Sequence, residues 1–221
     1  MSHSSDSLVA HHFEDIEQQN ESAVLGMWLF LGQEIMFFGG LFAVYLVYRF
    51  KYPDAWAAGS TDLDITLGTF NTVVLLVSSL TMAMGVWSAQ TGRQKSLIRY
   101  LLATLVLGST FLVVKFFEYK HKWDYHHVPG PSFSFQSEHF PNAAESNVQL
   151  FYTLYFIMTG MHALHMVIGA GLLIWLIVLA WKGKFGPHNF MKVELTGFYW
   201  HFVDIVWVFL FPLLYLINRH H

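Results

Sequence analysis

The sequence contains no cysteine. This absence excludes disulfides, iron–sulfur clusters, thiolate-ligated haem and copper pairs bridged by cysteine. Histidine is the remaining plausible ligand for soft metals, and the chain has 13 of them. Many lie in polar ends and loops, where a solvated histidine ordinarily binds no metal. We therefore expect no metal site in the loops.

Charge is also scarce. Charged residues make up 12% of the chain, against about 25% in an average soluble domain. Hydrophobic residues make up 54% and aromatic residues 18%, and the mean hydropathy is +0.41. A formal net charge of −3 does not favour nucleic acid as a partner. The composition predicts an integral membrane protein.

Five segments are apolar over the length of about 20 residues that a helix needs to cross the hydrocarbon layer. They lie at about residues 23–48, 67–87, 97–119, 152–181 and 196–217. We expect an all-α integral membrane bundle of five transmembrane helices over residues 22–221, preceded by a polar N-terminal tail at residues 1–21. The tail has no short apolar core before a small-residue cleavage site, so it does not resemble a secretory signal peptide.

The loops after the second and fourth predicted spans are short and basic. They contain Arg93 and Lys95, and then Lys182, Lys184 and Lys192. The positive-inside rule places both loops and the N-terminus in the cytoplasm. Five crossings then bring the C-terminus to the opposite side of the membrane.

Glu34 is the first ionisable side chain at membrane depth. Its neighbours at helical spacing are all apolar, namely Phe30, Leu31, Phe37 and Phe38. Such a carboxyl loses most of its hydration, so we expect it to keep its proton. It acts either as a proton-linked or regulatory group, or as a structural acid that donates one hydrogen bond to a backbone or hydroxyl oxygen.

Polar residues also occur in the second and third spans. Asn71 and Ser78 are seven residues apart and share a helix face, which favours hydrogen bonds to neighbouring helices. Lys115 and Glu118 are three residues apart near the end of the third span. They either neutralise each other or extend to the interface, where a lipid phosphate suits the lysine.

The last two spans each carry a pair of ionisable residues at a spacing of three. His162 and His165 share one helix face, as do His201 and Asp204. Two histidines rarely hold a metal unaided, and His201 and Asp204 are candidates to supply the further ligands of an intramembrane metal site. The alternative is a structural or lipid-contacting role, with neutral histidines bonded to carboxylates or lipid phosphates.

Several motifs, taken in order, resemble subunit III of the haem-copper cytochrome c oxidases. The resemblance covers nearly the whole chain from Glu21 to the C-terminus, and its last motif is highly specific. The motifs are Gly-Met-Trp-Leu-Phe at 26–30, Gln33-Glu34, Phe70-Asn71-Thr72, Glu118-Tyr119, Thr-Gly-Met-His-Ala-Leu-His at 159–165, and Tyr-Trp-His-Phe-Val-Asp-Ile-Val-Trp at 199–207.

The resemblance implies a bacterial inner-membrane subunit without catalytic residues, haem or copper of its own. Haem and copper would lie in partner subunits, with subunits I and II beside this chain and subunit IV or a respiratory supercomplex as further partners. The subunit would stabilise the catalytic core, support proton uptake and bind phospholipid. Glu34 matches the family's buried glutamate, and Asn71, Trp200 and Trp207 are expected to pack between helices.

The family commonly has seven spans, and we expect five here, without counterparts of the first two, as in many bacterial members. The cleft that holds phospholipid in the family is then expected to be open or to be filled by another subunit.

Other functions are compatible with the sequence. Within the superfamily, the chain could be subunit III of a quinol oxidase or an accessory protein of a nitric oxide reductase. An independent metal-binding membrane protein would use His162, His165, His201 and Asp204. A small transporter is disfavoured, because the sequence has no evident internal repeat.

Overall fold

A computed structural model describes residues 13, 15–131, 133–135, 140, 143–187 and 189–217. Most of the predicted N-terminal tail, residues 1–12 and 14, lies outside the described residues. Every regular element in the described part is a helix. The helices are α1 (Ile16–Lys51), α2 (Pro53–Thr61), α3 (Ile65–Gln90), α4 (Gln94–Asp124), α5 (Glu145–Trp181) and α6 (Met191–Tyr215).

Five of these helices are long and apolar enough to cross a membrane, namely α1, α3, α4, α5 and α6. The prediction of an all-α bundle with five transmembrane helices is therefore confirmed. Most of the helices extend beyond the predicted apolar spans at one or both ends. With 37 residues, α5 is about 55 Å long at 1.5 Å per residue, against a hydrocarbon layer of about 30 Å.

The short helix α2 was not predicted. It begins at Pro53, a residue favoured in the first turn of a helix. Its residues Ala55 to Ser60 are all buried, and the ring of Phe151 on α5 packs directly over Gly59. The small residues that make α2 inconspicuous in the sequence are the ones that let it fit closely against α5.

Aspartates and a glycine mark the boundaries of several helices. Asp15 caps α1 by accepting a hydrogen bond from the Gln18 backbone N–H at 2.7 Å. Asp64 caps α3 in the same way through the N–H of Thr66 at 2.8 Å. Gly92, with φ of +70°, provides the left-handed conformation that turns the chain from α3 into α4.

Helices α3 to α6 form a close-packed group around Trp200. The indole N–H of this residue donates to Ser78 on α3 at 2.8 Å. Its ring lies against Gly108 on α4 and Gly169 on α5. Four helices therefore meet at one side chain, and glycine at two of the contacts makes room for it.

Helix α1 lies at the edge of this group. Only 17% of the residues in its most apolar window are buried, against 56% for α6. Large side chains such as Leu25, Trp28, Met36 and Phe50 are more than half exposed. This face of α1 is suited to contact with lipid or with another membrane protein.

Gly108→Ala should destabilise the protein. An added Cβ would lie 2.7 Å from the Trp200 ring, and the hydrogen bond to Ser78 restrains that ring. We expect a loss of about 1–3 kcal/mol, the usual cost of overpacking, seen as a lower melting temperature in mild detergent.

Gly32→Ala is the matched control, because nothing lies within 4 Å of an added Cβ at Gly32. It should be neutral or slightly stabilising, since alanine favours a helix. Equal melting temperatures for the two variants would show that the Trp200 contact does not limit packing.

Candidate functional site within the helix bundle

A closed polar network joins α4, α5 and α6. Lys115 Nζ lies 3.0 Å from Glu118 Oε2, and it also donates to the hydroxyl oxygens of Tyr155 at 3.1 Å and Tyr215 at 3.0 Å. Both tyrosines in turn donate to Glu118 Oε1, at 2.7 and 2.5 Å. All three N–H donors of the ammonium group therefore have an acceptor.

The pair is deeply buried, with side-chain exposures of 3% for Lys115 and 5% for Glu118. Moving two charges out of water costs several kcal/mol each, and only close contact together with further hydrogen bonds offsets that cost. The indole ring of Trp207, 5.2 Å from Lys115 Nζ, adds a cation–π contact. The network therefore fixes how α4, α5 and α6 are rotated relative to one another.

A second polar cluster surrounds Asp62, in the turn between α2 and α3. Its Oδ2 atom accepts hydrogen bonds from Lys122 at the end of α4 and from Tyr152 on α5. His127 Nδ1, in the loop after α4, lies 3.0 Å from the same oxygen. Lys122 also donates to the backbone carbonyl of Asp62 at 2.8 Å. One carboxylate thus ties four parts of the chain together.

This setting changes the acidity of Asp62. Partial burial alone would raise its pKa. The hydrogen bond from His127, the charge of Lys122 and the hydrogen bonds from Lys122 and Tyr152 together outweigh burial, so the pKa of Asp62 lies below its usual value. The carboxylate form is the one that these donors stabilise.

Glu34 on α1 pairs with His165 on α5. Glu34 Oε2 lies 3.1 Å from His165 Nε2, and the side chains are 12% and 10% exposed. His165 Nδ1 lies 2.8 Å from the Met161 carbonyl oxygen. A carbonyl only accepts hydrogen bonds, so Nδ1 carries a hydrogen.

With a hydrogen on Nδ1, the two possible positions of a second proton, on Glu34 or on Nε2, define two arrangements of the pair. In neutral His165, Nε2 is then an acceptor, and Glu34 must be protonated to donate to it. In the other arrangement the proton has moved to Nε2, which gives an imidazolium beside a carboxylate. Both arrangements place one proton between Glu34 and His165, so the pair can hold a proton on either side of a single hydrogen bond.

His201 lies on the side of α6 that faces α1. Its Nδ1 atom is 2.7 Å from the Ser79 hydroxyl on α3. The imidazole also lines an apolar groove of about 530 Å³ between α1 and α6, which is walled mainly by aromatic and aliphatic side chains from the two helices, among them Trp28, Phe38, Phe202 and Phe209. The groove has the apolar lining that suits an acyl chain.

His162, Asp204 and Asn71 are buried without a hydrogen-bond partner for their side chains among the described residues. The His162 ring packs between Phe111 and Trp207, with ring centroids 5.3 and 5.2 Å away. The three residues lie on α5, α6 and α3, respectively.

The two tryptophans predicted to pack between helices are both fully buried. Trp200 is bonded to Ser78, and the indole N–H of Trp207 donates to Thr72 on α3 at 3.0 Å. Trp207 also contacts Phe111 on α4 at 4.8 Å between ring centroids.

The structure does not assemble the four side chains that an independent metal site would need. His165 is engaged by Glu34, and His201 by Ser79. Within the described part of the chain, no group of three or more His, Asp or Glu side chains is arranged to hold a metal ion.

Sequence reasoning missed the partners of these groups. Tyr155, Tyr215 and the pairing of Glu34 with His165 connect helices far apart in the chain, so helical spacing within one segment could not identify them. The Asp62 cluster was missed because Asp62 lies in a short polar loop. The available signal was Lys122, a lysine seven residues after Lys115 and therefore on the same face of α4.

The sequence is similar to known proteins over nearly its whole length. The family model for cytochrome c oxidase subunit III matches residues 6–125 and 132–218. A probable cytochrome c oxidase subunit 3 of Nocardia farcinica is 33% identical over 213 residues, covering 96% of each chain. Cytochrome c oxidase subunit 3 of Corynebacterium diphtheriae is 32% identical over 88% of this chain and 87% of its own. That of Alkalihalophilus pseudofirmus is 31% identical over 94% and 92%.

Replacing Lys115 and Glu118 singly and together should show that they act as one unit. Lys115→Met and Glu118→Leu each leave a buried charge unpaired and should cost about 3–5 kcal/mol. The double variant should cost clearly less than their sum, measured by unfolding in mild detergent.

Lys120→Met, on the exposed side of the same helix, is the control and should change stability by about 0.5 kcal/mol or less. Additive effects of the two buried substitutions would contradict the coupling.

Asp62 should make stability depend on pH. Because its pKa is lowered in the folded protein, its contribution is fully present above about pH 4, the usual carboxyl value. It is lost as the pH falls below that value. The difference in stability between wild type and Asp62→Asn should therefore shrink on acidification, as followed by thermal unfolding at a series of pH values.

Asp54→Asn removes an exposed carboxyl from the start of α2. Its stability relative to wild type should show no comparable dependence on pH. A wild-type advantage over Asp62→Asn that stayed constant down to the lowest pH would rule out the charged hydrogen bonds as its source.

Proposed function

Because the chain belongs to the cytochrome c oxidase subunit III family, we propose that it is the non-redox third subunit of a proton-pumping haem-copper oxidase. The family match over nearly the whole chain is the observation that carries this proposal. In it, electrons pass from cytochrome c to oxygen in partner subunits I and II, which hold the haem and copper. This chain stabilises the catalytic subunit and supports its proton uptake.

The chemistry of the buried side chains supports a non-redox role. The sequence has no cysteine, and the two histidines with hydrogen bonds in the spans are bonded to Glu34 and Ser79. The Glu34–His165 pair and the Lys115–Glu118 network join helices through hydrogen bonds rather than forming a set of metal ligands. Such an arrangement builds a stable scaffold at membrane depth.

The exposed face of α1 supports a place beside other subunits. Its large apolar side chains, including Met36 at 79% and Phe50 at 83% exposed, form a surface that either lipid or a partner helix can cover. The groove between α1 and α6 offers a further apolar surface, which we assign to a phospholipid acyl chain.

We place the protein in the bacterial inner membrane with its N-terminus in the cytoplasm and its C-terminus outside. The basic residues Arg93, Lys95, Lys182, Lys184 and Lys192 support this orientation. Since the chain has no cysteine of its own, a single cysteine introduced at Ser96 can test it. Labelling of that cysteine by an impermeant reagent from the outside would overturn the orientation.

The proposal is tested by purifying the chain from its native membrane in mild detergent. Mass identification should find subunits I and II and phospholipid, and a reduced-minus-oxidised spectrum should show haem that is lost when the chain is stripped from its partners. Haem or stoichiometric metal remaining on the isolated chain would overturn the non-redox assignment. A quinol-oxidising partner set would change the electron donor.

Glu34 provides the link to protons in this proposal. Glu34→Ala should leave the haem spectra of the complex unchanged, because in this proposal the haems lie in partner subunits and Glu34 pairs with His165. It should shorten the period over which turnover is sustained, because the pair with His165 is lost. Turnover before inactivation is the measurement, and Glu17→Ala, on the exposed first turn of the same helix, is the control.

Glu34→Gln separates the two interpretations of this carboxyl. Glutamine can still donate a hydrogen bond to His165 Nε2, but it cannot release a proton. If Glu34→Gln loses sustained turnover as Glu34→Ala does, the role is linked to protons. If it behaves as wild type, the role is structural, and normal turnover in both variants removes Glu34 from the proposal.

A further inference from the structure

In the described part of the chain, seven buried side-chain polar atoms lack a hydrogen-bond partner. Six of them belong to three residues. They are both amide atoms of Asn71, both ring nitrogens of His162 and both carboxyl oxygens of Asp204. The residues are 0%, 0% and 3% exposed. Burying a polar group with no partner is costly, and ordered water is the usual partner where protein atoms supply none.

Contacts of two tryptophans place these residues at neighbouring positions in the bundle. Asp204 lies on the same face of α6 as Trp200 and Trp207, one turn from each. Trp207 packs against His162 on α5. On α3, Trp207 bonds to Thr72, the residue after Asn71, and Trp200 bonds to Ser78, two turns further along.

The contacts therefore place Asn71 and His162 near the level of Trp207, and Asp204 lies one turn from Trp207 towards Trp200. Aromatic side chains bound this region, with Phe111 on the α4 side. Its polar atoms make no hydrogen bond to the neighbouring Glu34–His165 pair or to the Lys115–Glu118 network, whose own polar atoms are bonded within each group.

Among the residues that the structure describes, no cation is bonded to Asp204. The buried ammonium of Lys115 has used all three of its donors on Glu118, Tyr155 and Tyr215. Ser79 lies near Asp204 and its hydroxyl also contacts His201 at 2.7 Å, so this neutral hydroxyl links the two side chains but supplies no charge to Asp204. An ionised Asp204 would be an unpaired buried charge, so the neutral acid is the form that fits this region.

The neutral side chains of Asn71, His162 and Asp204 offer both donors and acceptors, as a water molecule does. A carboxylic acid offers one O–H and acceptor oxygens, a neutral imidazole offers one donor and one acceptor, and an amide offers two donors and an acceptor. A buried water makes about three hydrogen bonds, so about two waters would satisfy the six atoms.

We propose that Asn71, His162 and Asp204 line an internal site that binds water and holds one exchangeable proton, carried by Asp204. Its route to the surface is the Ser79–His201 hydrogen bond, because His201 is one turn from Asp204 and also lines the groove between α1 and α6. The proposal does not depend on the role assigned to Glu34.

Infrared spectroscopy of the intact complex tests the proton. Protonated Asp204 should give a carboxylic-acid carbonyl band, and this band should shift when H₂O is exchanged for D₂O. That band should be absent in Asp204→Asn, while Glu34→Gln should leave it in place. A band that does not shift in D₂O would show that the proton does not exchange. An unchanged spectrum in Asp204→Asn would show that Asp204 is ionised, and either result overturns the proposal.

Cryo-electron microscopy of the wild-type complex tests the water and does not require any variant to fold. Water-sized density within hydrogen-bonding distance of at least two of Asn71, His162 and Asp204 supports the site. Direct contacts among the three side chains, or continuous side-chain packing with no such density, would overturn it. This readout is independent of which subunits accompany the chain.

Discussion

A lysine inside a hydrocarbon layer must have every one of its hydrogen-bond donors satisfied, and this requirement organises the bundle. Lys115 meets it with Glu118 from its own helix and with two tyrosines from α5 and α6. The network therefore exists only when the three helices stand at particular depths and rotations. In lipid, where apolar contacts alone distinguish poorly between helix arrangements, such polar contacts select one of them.

The same selection operates at other depths in the protein. At one end of the bundle, the Asp62 carboxylate gathers α4, α5 and the loop after α4. Near the middle, Trp200 joins four helices through one hydrogen bond and close contacts with two glycines. Helix α1 takes part through fewer contacts, chiefly the Glu34–His165 pair and the hydrogen bond from the Tyr45 hydroxyl to the Leu213 carbonyl at 2.5 Å. The groove beside it follows from that looser attachment.

The sequence was sufficient to predict the five spans, because an apolar run of the required length is a property of each segment by itself. Neutralisation of Lys115 by Glu118 was likewise one of the two predicted outcomes, since both residues lie on one helix. The arrangement of the helices and their rotations depend on contacts between segments that are far apart in the chain. The partner of Glu34 is 131 residues away, and α2 is too short and too rich in small residues to be distinguished from a loop. The sequence identified the ionisable residues within the spans, while the Asp62 cluster and the pairing of the other residues became evident only in the fold.

The position of Glu34 in the chain also has a consequence for biosynthesis. Chains are synthesised from the N-terminus, so α1 enters the bilayer before α5 exists. During that interval Glu34 has neither His165 nor the groove wall of α6 beside it. A carboxyl in lipid remains inserted at the smallest cost when it is protonated. The glutamate that later shares a proton with His165 must therefore bring that proton with it from the moment of membrane insertion.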